Sequence, residues 1–409
     1  MGPRDRRLRT VLTVLVAWSA LAGAALVGAA PATGVQSTRT IAPGVRYSQF
    51  DIPAAHGTAR AHLVTVDLRD PRVRVDLLHP GAVAARATVS RLAGPRGAVA
   101  GINGDFFDIS ETQHPGVEAT GSSDGPAIAG GHQLKGAVPN GQRFGPALPP
   151  GADTQDVLGV GTDRRARLDR LSLSGSVRTS HGRLTLGGFN QYALPVGSIG
   201  AYTSDWGAVS RMRAVCGTDT DRAAPCSTDT YEVTVRKDHV VAAAARPGGG
   251  PVAVGTTVLV GREAGARYLR TLYKGERVQV RERLVAASSG IPYRFAIGGF
   301  PVLRGGVPSA GLDNKTSAVR TAVGIGDGGR RLLLLALDGA AAYRSGLTVA
   351  ELATTLRGLG ATDGFNLDGG GSTTLVTRLG GESAVTVRNH PSGGAERAVP
   401  NGIGVFSAF

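Results

Sequence analysis

Alternation of apolar and polar residues sets the texture of this chain far more often than helical spacing does. His62–Leu68 and Val73–Leu78 both alternate and flank Arg69-Asp70-Pro71, a turn signal, which predicts a β-hairpin. Val45–Phe50 predicts an earlier strand and Thr88–Ala93 a short helix. Ala98–Asn103 is a buried-strand pattern that runs into Gly104-Asp105-Phe106-Phe107-Asp108. A strand-and-turn rhythm continues through Ala166–Leu168, Leu184–Leu186, Tyr231–Val235, Val240–Ala244, Thr256–Val260 and Arg277–Arg283. Past Tyr293 the apolar runs lengthen. Phe295–Leu303 is a strand broken by Gly298-Gly299, Arg320–Gly326 another, and Leu332–Leu337 is wholly apolar. Such a glycine pair marks a bulge or a close backbone approach. The clearest helix begins at Thr348, where Thr348 and Glu351 match a capping box and Leu352, Leu356 and Leu359 share a face. Ser383–Val387 and Gly402–Phe406 read as closing strands.

The pattern predicts an α+β fold of mixed or antiparallel sheets with few helices and a β-rich middle block. Residues 45–144 form the N-terminal part of the main region, 145–288 the β-rich block, placed as an insertion, and 289–409 the C-terminal part. The start of the chain has a different character. Arg4, Arg6, Arg7 and Arg9 precede the apolar run Val11–Val27 and a small-x-small site at Ala30-Pro31-Ala32, the pattern of a secretory signal peptide over 1–32. An uncleaved N-terminal anchor is the alternative. Residues 33–44 are small and polar and read as a linker. No later segment has the roughly eighteen apolar residues a membrane span needs. The mature protein is therefore expected outside the cell.

Composition sharpens this picture in two places. The net charge of +14 comes almost wholly from arginine, since lysine occurs only at Lys135, Lys237, Lys274 and Lys315. No dense basic run with interleaved aromatics is present, so a nucleic-acid partner is not expected, while phosphorylated or anionic glycans suit the charge. In an exported chain the pair Cys216 and Cys226 reads as a disulfide, worth on the order of 2–3 kcal/mol for so short a loop.

The candidate chemistry gathers at strand ends. Asp368 follows a short strand pattern and precedes Gly369-Gly370-Gly371-Ser372-Thr373, where glycines let backbone N–H groups approach an anion and hydroxyls add donors. Asp105, Asp108 and Asp338 sit in similar contexts, as loops building one site would place them. Asn103 and Asn366 flank these carboxylates, and Arg320 is the candidate anion clamp. Each has a plainer alternative: a glycine turn, an Asx turn, a surface arginine.

Taken together, Asn103–Phe107, Ala296–Leu303, Arg320–Ile325, Leu335–Gly339, Thr348–Ala353, Asn366–Thr373 and Pro400–Val405 resemble, in order and spacing, the phosphodiester glycosidase family. Two positions depart from its pattern: Asp105 and Phe300 stand where the family usually carries glycine. The resemblance implies hydrolysis of a sugar-1-phosphodiester at the anomeric C1–O bond. Asp368 would then be the principal carboxylate, with Asp338 or Asp105 as partner. Asn103, Arg320, Asn366, Gly369, Gly370, Gly371, Ser372 and Thr373 would hold the substrate. No cofactor is demanded. A divalent cation on Asp105, Asp338 and Asp368, giving a metal-dependent phosphodiesterase, is a second reading. A non-catalytic wall-polymer binding protein is a third.

Overall fold

The computed structural model describes residues 35–408, so the signal-peptide segment lies outside the described residues. The expected linker does not hold over its described part. Val35–Ala42 is a strand, paired antiparallel with Val45–Ala54 through a turn in which Gly44 takes a φ of 68°. Its small side chains are no obstacle to pairing, and Ile41 and Ala42 are buried.

The first layer is an eight-stranded antiparallel sheet. Its spatial order is Val35–Ala42, Val45–Ala54, Gly57–Asp67, Arg331–Leu337, Thr321–Gly326, Asp363–Leu367, Phe300–Arg304 and Val307–Pro308. The wholly apolar run at 332–337 is central and buried on both faces. A five-stranded sheet holds Thr386–Val387, Leu375–Thr377, Ala100–Asn103, Gly402–Ser407 and Val73–Leu78. The expected hairpin is thereby overturned. Gly57–Asp67 is paired along both edges, to Val45–Ala54 and to Arg331–Leu337, leaving no edge for Val73–Leu78, which pairs with Gly402–Ser407 instead.

A six-stranded sheet joins Leu284–Ala286, Ala166–Leu173, Asp156–Gly161, Tyr293–Gly298, Ala127–Ala129 and His132–Lys135. The glycine pair at 298–299 marks the chain's passage from this sheet to the eight-stranded one. Gly299 has a φ of 152°, and a Cβ there would stand 2.5 Å from the Asn366 carbonyl. The strands of 145–288 divide. Those at 156–173 pair into this six-stranded sheet, whereas the strands between 176 and 281 make a three-stranded and a five-stranded sheet around their own apolar cluster, which includes Val177, Leu186, Val233, Leu259 and Val278. The disulfide Cys216–Cys226 is formed.

Three α-helices occur among the described residues: Val89–Ala93, Ala264–Leu269 and Val349–Gly358. The architecture is thus β-rich and antiparallel, apart from one short parallel pair, and the helical part of the expected α+β class shrinks to these three. The longest presents Leu352, Ala353 and Leu356 to a cluster with Val302, Leu303, Leu333 and Leu335 of the eight-stranded sheet. It starts with the expected capping box, Glu351 N–H donating to the Thr348 hydroxyl at 3.2 Å and Thr348 N–H to the Glu351 carboxylate at 2.8 Å. The same carboxylate accepts from Ala55 N–H at 2.8 Å, so the cap also fastens the distant turn after Val45–Ala54. Thr348→Ala is expected to lower unfolding stability by about 1 kcal/mol. Glu351→Ala should lose more, since its carboxylate serves the amides of both Thr348 and Ala55. Denaturant midpoints of the two variants check the order.

Candidate active site

Asn103 ends the central strand of the five-stranded sheet, fully buried where that sheet meets the eight-stranded one. Its Nδ2 donates to the Asp368 carbonyl at 2.7 Å. Its Oδ1 accepts from the Thr321 hydroxyl at 2.9 Å and from Thr374 N–H at 3.0 Å. Asp368 N–H donates to the Gly104 carbonyl at 2.9 Å, so the two strand ends clasp each other. Asp363–Leu367 lies between Thr321–Gly326 and Phe300–Arg304, and this pairing fixes where Asp368 emerges.

Two of the three glycines that follow have their own reason. A Cβ on Gly369 would meet the Val319 carbonyl at 2.6 Å, the same oxygen that accepts from Gly370 N–H. Gly370 has a φ of 57°, whereas a Cβ on Gly371 would meet only the movable end of the Arg397 side chain. Gly370–Ser372 then form one 3-10 turn, and Ser372 and Thr373 are fully buried. The Thr373 hydroxyl lies 3.2 Å from that of Thr321, whose own proton goes to Asn103.

The Asp368 side chain is only partly exposed. Burial pushes its carboxyl up to about 6, against the Ser372 hydroxyl and Arg397, which favour the charged form, and with the Asp124 carboxylate adding to the rise. Arg397 is exposed and its Nη1 donates to Ser372 Oγ at 3.2 Å. The site therefore presents a carboxylate, a guanidinium and a glycine turn side by side.

Asp105 takes a different place from the one expected. It is buried, its Oδ2 accepting from Gly125 N–H at 2.7 Å, and burial, with the Asp124 carboxylate beside it, pushes it up to about 7. Nearby Lys135, fully enclosed, donates to the carbonyls of Gly125 and Gly136, and burial pulls it down to about 8. Asp124 itself accepts from the Tyr192 hydroxyl at 2.7 Å and Phe144 N–H at 3.0 Å. Asp108 belongs to yet another buried group, accepting from the amide and hydroxyl of Thr120. Asp105 and Asp368 thus both lie in the field of Asp124, while Asp108 has partners of its own.

Asp338 is buried at the end of the central strand Arg331–Leu337. Burial opposes its ionisation, but hydrogen bonds with His62 and His390 and from the amides of Ala340 and His390 outweigh it and hold the carboxyl well below the usual carboxylate range. His62 Nε2 lies 3.0 Å and His390 Nδ1 2.9 Å from Oδ2. The Tyr47 hydroxyl lies 2.8 Å from His62 Nδ1, completing a chain of four side chains. The segment carrying His390 is fastened to the glycine turn. Asn389 Nδ2 donates to the Thr373 carbonyl at 2.9 Å and Ser392 Oγ to the Gly370 carbonyl at 3.3 Å.

Arg320 spends two of its N–H groups on main-chain carbonyls. It is buried, with Nε donating to the Leu347 carbonyl at 3.0 Å and Nη2 to the Thr316 carbonyl at 2.7 Å. Asn366 is also buried, its Nδ2 donating to the Leu367 carbonyl at 3.1 Å. Arg397, His62, His390 and Asp124 went unnoticed in the sequence. For Arg397 a signal exists, its place three residues before the closing Pro400–Val405 motif; the histidines offer none, being isolated in apolar or polar runs. Among the described residues no group of three or more His, Cys, Asp or Glu is placed to hold a metal ion; His62, Asp338 and His390 are joined to one another by hydrogen bonds instead.

Residues 229–406 match the family model described as phosphodiester glycosidase. The match takes in every motif of the resemblance except Asn103–Phe107, and it begins inside the middle block. No curated protein matches the chain in sequence. Among solved structures, a hypothetical protein from Synechocystis is similar at 22% identity with a TM-score of 0.66, over 90% of this chain and 62% of that one. The chain thus spans less than two thirds of that protein's length. A protein from Burkholderia pseudomallei is similar at 23% identity and TM-score 0.63, over 86% of this chain and 74% of that one. The catalytic domain of zebrafish N-acetylglucosamine-1-phosphodiester α-N-acetylglucosaminidase aligns at 17% identity and TM-score 0.44, over 91% of this chain and 88% of that one. The first two likenesses show a shared fold.

The Asp368 environment has a consequence for stability. A carboxyl whose folded value of about 6 lies above its ordinary 3.8 favours the folded state when protonated; that contribution fades as pH rises from 3.8 and is gone above 6. Asp368→Asn is expected to be more stable than the parent at pH 7.5, by roughly 1–3 kcal/mol, with the difference vanishing near pH 4. Urea unfolding at the two pH values measures it.

Proposed function

We propose that this chain, a phosphodiester glycosidase match across residues 229–406, is an exported hydrolase that cleaves the C1–O bond of sugar-1-phosphodiesters on cell-surface or environmental glycans. The observation that carries this reading is that the partly buried Asp368 carboxylate lies within the field of the Arg397 guanidinium, which bonds Ser372 at the end of the glycine turn. The chemistry asks for both. Breaking C1–O develops positive charge on the sugar ring and releases a phosphate ester that is already anionic. A carboxylate stabilises the first or takes a proton from the attacking water. A fixed cation and backbone N–H groups receive the second. Asp368 is assigned the sugar side, and Arg397 with the Gly371 end of the turn the phosphate side, since the amides of Gly369 and Gly370 are spent on the Asp368 carboxylate and the Val319 carbonyl. Asp105, enclosed with Lys135 and Asp124, is assigned support of the strand end and not contact with substrate. Export rests on the basic and apolar pattern of residues 1–32.

Incubation with a nucleotide-linked or aryl sugar-1-phosphodiester should release free sugar and a phosphomonoester. Sugar-1-phosphate among the products would place cleavage at P–O and sink the assignment. Asp368→Asn should lower kcat by at least about a hundredfold. Arg397→Gln should act chiefly on substrate capture, raising KM about ten- to a hundredfold for the loss of one charge-assisted contact.

A further inference from the structure

Neither Asp368 nor Arg397 supplies everything the departing phosphate can use. Arginine holds its proton, so it neutralises charge without transferring one. A donor that does transfer one has to reach the surface beside the glycine turn.

We propose that His390 is the phosphate-facing proton donor of this site, and that Asp338, His62 and Tyr47 are its positioning residues. The inference rests on the hydrolytic reading above and adds a residue to it. The chain Tyr47–His62–Asp338–His390 is buried at every member but the last. The side chains of His62 and Asp338 are 3% and 1% exposed, whereas that of His390 is 74% exposed. Asp338 does not need this ring to satisfy its burial. It already accepts from His62, from Ala340 N–H at 2.8 Å and from His390 N–H at 3.3 Å. The extra contact fixes the ring: Nδ1–H is held by the carboxylate, and Nε2 is left for solvent or ligand. The backbone is pinned as well, Gly339 N–H donating to the His390 carbonyl at 2.7 Å. Asn389 and Ser392, on either side of the ring, bind the two ends of the glycine turn.

Other charges act on this chain. Arg60 and Arg388 lie in the fields of Asp338 and Tyr47, as does Arg39 for Tyr47. Arg397 and Asp368 stand on the glycine-turn side. In the step, the C1–O electron pair goes to the phosphate oxygen, and the Nε2 proton of His390 imidazolium follows it. Water forms the new bond to C1 and gives one proton to Asp368. Exchange with solvent returns the proton to His390 and removes that on Asp368, so the net change is the addition of one water.

Two measurements on the intact chain test this. In kcat/KM against pH, the rising limb should follow ionisation of Asp368 and the falling limb deprotonation of His390. His390→Gln, at an exposed position where folding is not at stake, should lose the falling limb and about a hundredfold or more in rate. His62→Gln should shift that limb without abolishing it. Independently, titration of 15N-histidine-labelled protein with inorganic phosphate should move the His390 ionisation to higher pH by more than about 0.5. Phosphate binding that leaves His390 unmoved, or a His390→Gln variant within twofold of the parent across the profile, overturns the proposal. If no sugar-1-phosphodiester is turned over, the proposed function fails, and the phosphate titration alone then decides for or against His390.

Discussion

The site depends on what one buried carboxamide does. Asn103 donates to the Asp368 backbone and accepts from Thr321 of the eight-stranded sheet and from Thr374, which leads into Leu375–Thr377 of the five-stranded one. The pattern calls for a donor and a two-fold acceptor on a short stem. Aspartate lacks the donor and glutamine is a methylene too long. With no exposed surface at Asn103, each of these groups would otherwise be an unpaired polar atom in the core, costing about 1–3 kcal/mol apiece. The glycine turn, Arg397 and the His390 segment all take their positions from strands that this side chain holds in register.

Much of the sheet structure was legible because alternation is a local property. Asp363–Leu367, Tyr293–Gly298 and Gly402–Ser407 could be read from their own residues. So could the Thr348 cap, whose two halves are three positions apart. Pairing was not legible: the turn at Arg69-Asp70-Pro71 looks the same whether its flanking strands join each other or part company, and only the doubly occupied edges of Gly57–Asp67 decide. At the site the limit was similar. An arginine-rich chain gives no sign of which guanidinium is consumed by main-chain carbonyls, as Arg320 is, and which is held over a turn, as Arg397 is. His62 meets Asp338 across 276 positions, a separation no motif spans.

The charges around the site are expensive where they lie. Asp105, Asp124 and Lys135 are enclosed together, each displaced from its ordinary ionisation by burial. Asp368 shares part of that penalty because it faces the same interior. A carboxylate held in its less favoured state is a better base than one in water, so the same burial that weakens the fold near Asp368 suits it to proton transfer.

The fastening of Asn389 and Ser392 to the two ends of the glycine turn also divides the C-terminal stretch into closed excursions. One runs through Gly380-Gly381 and returns at Arg388; the other runs through Gly393-Gly394 and returns at Arg397. All four of those glycines have open space where a side chain would stand, while Gly381 and Gly394 take φ of 89° and 83°, which favour glycine. Length at these tips is therefore uncoupled from the geometry between them. The chain thus has two places beside the glycine turn where segments can grow, shrink or acquire contacts while Asp368, Arg397 and the turn stay where they are.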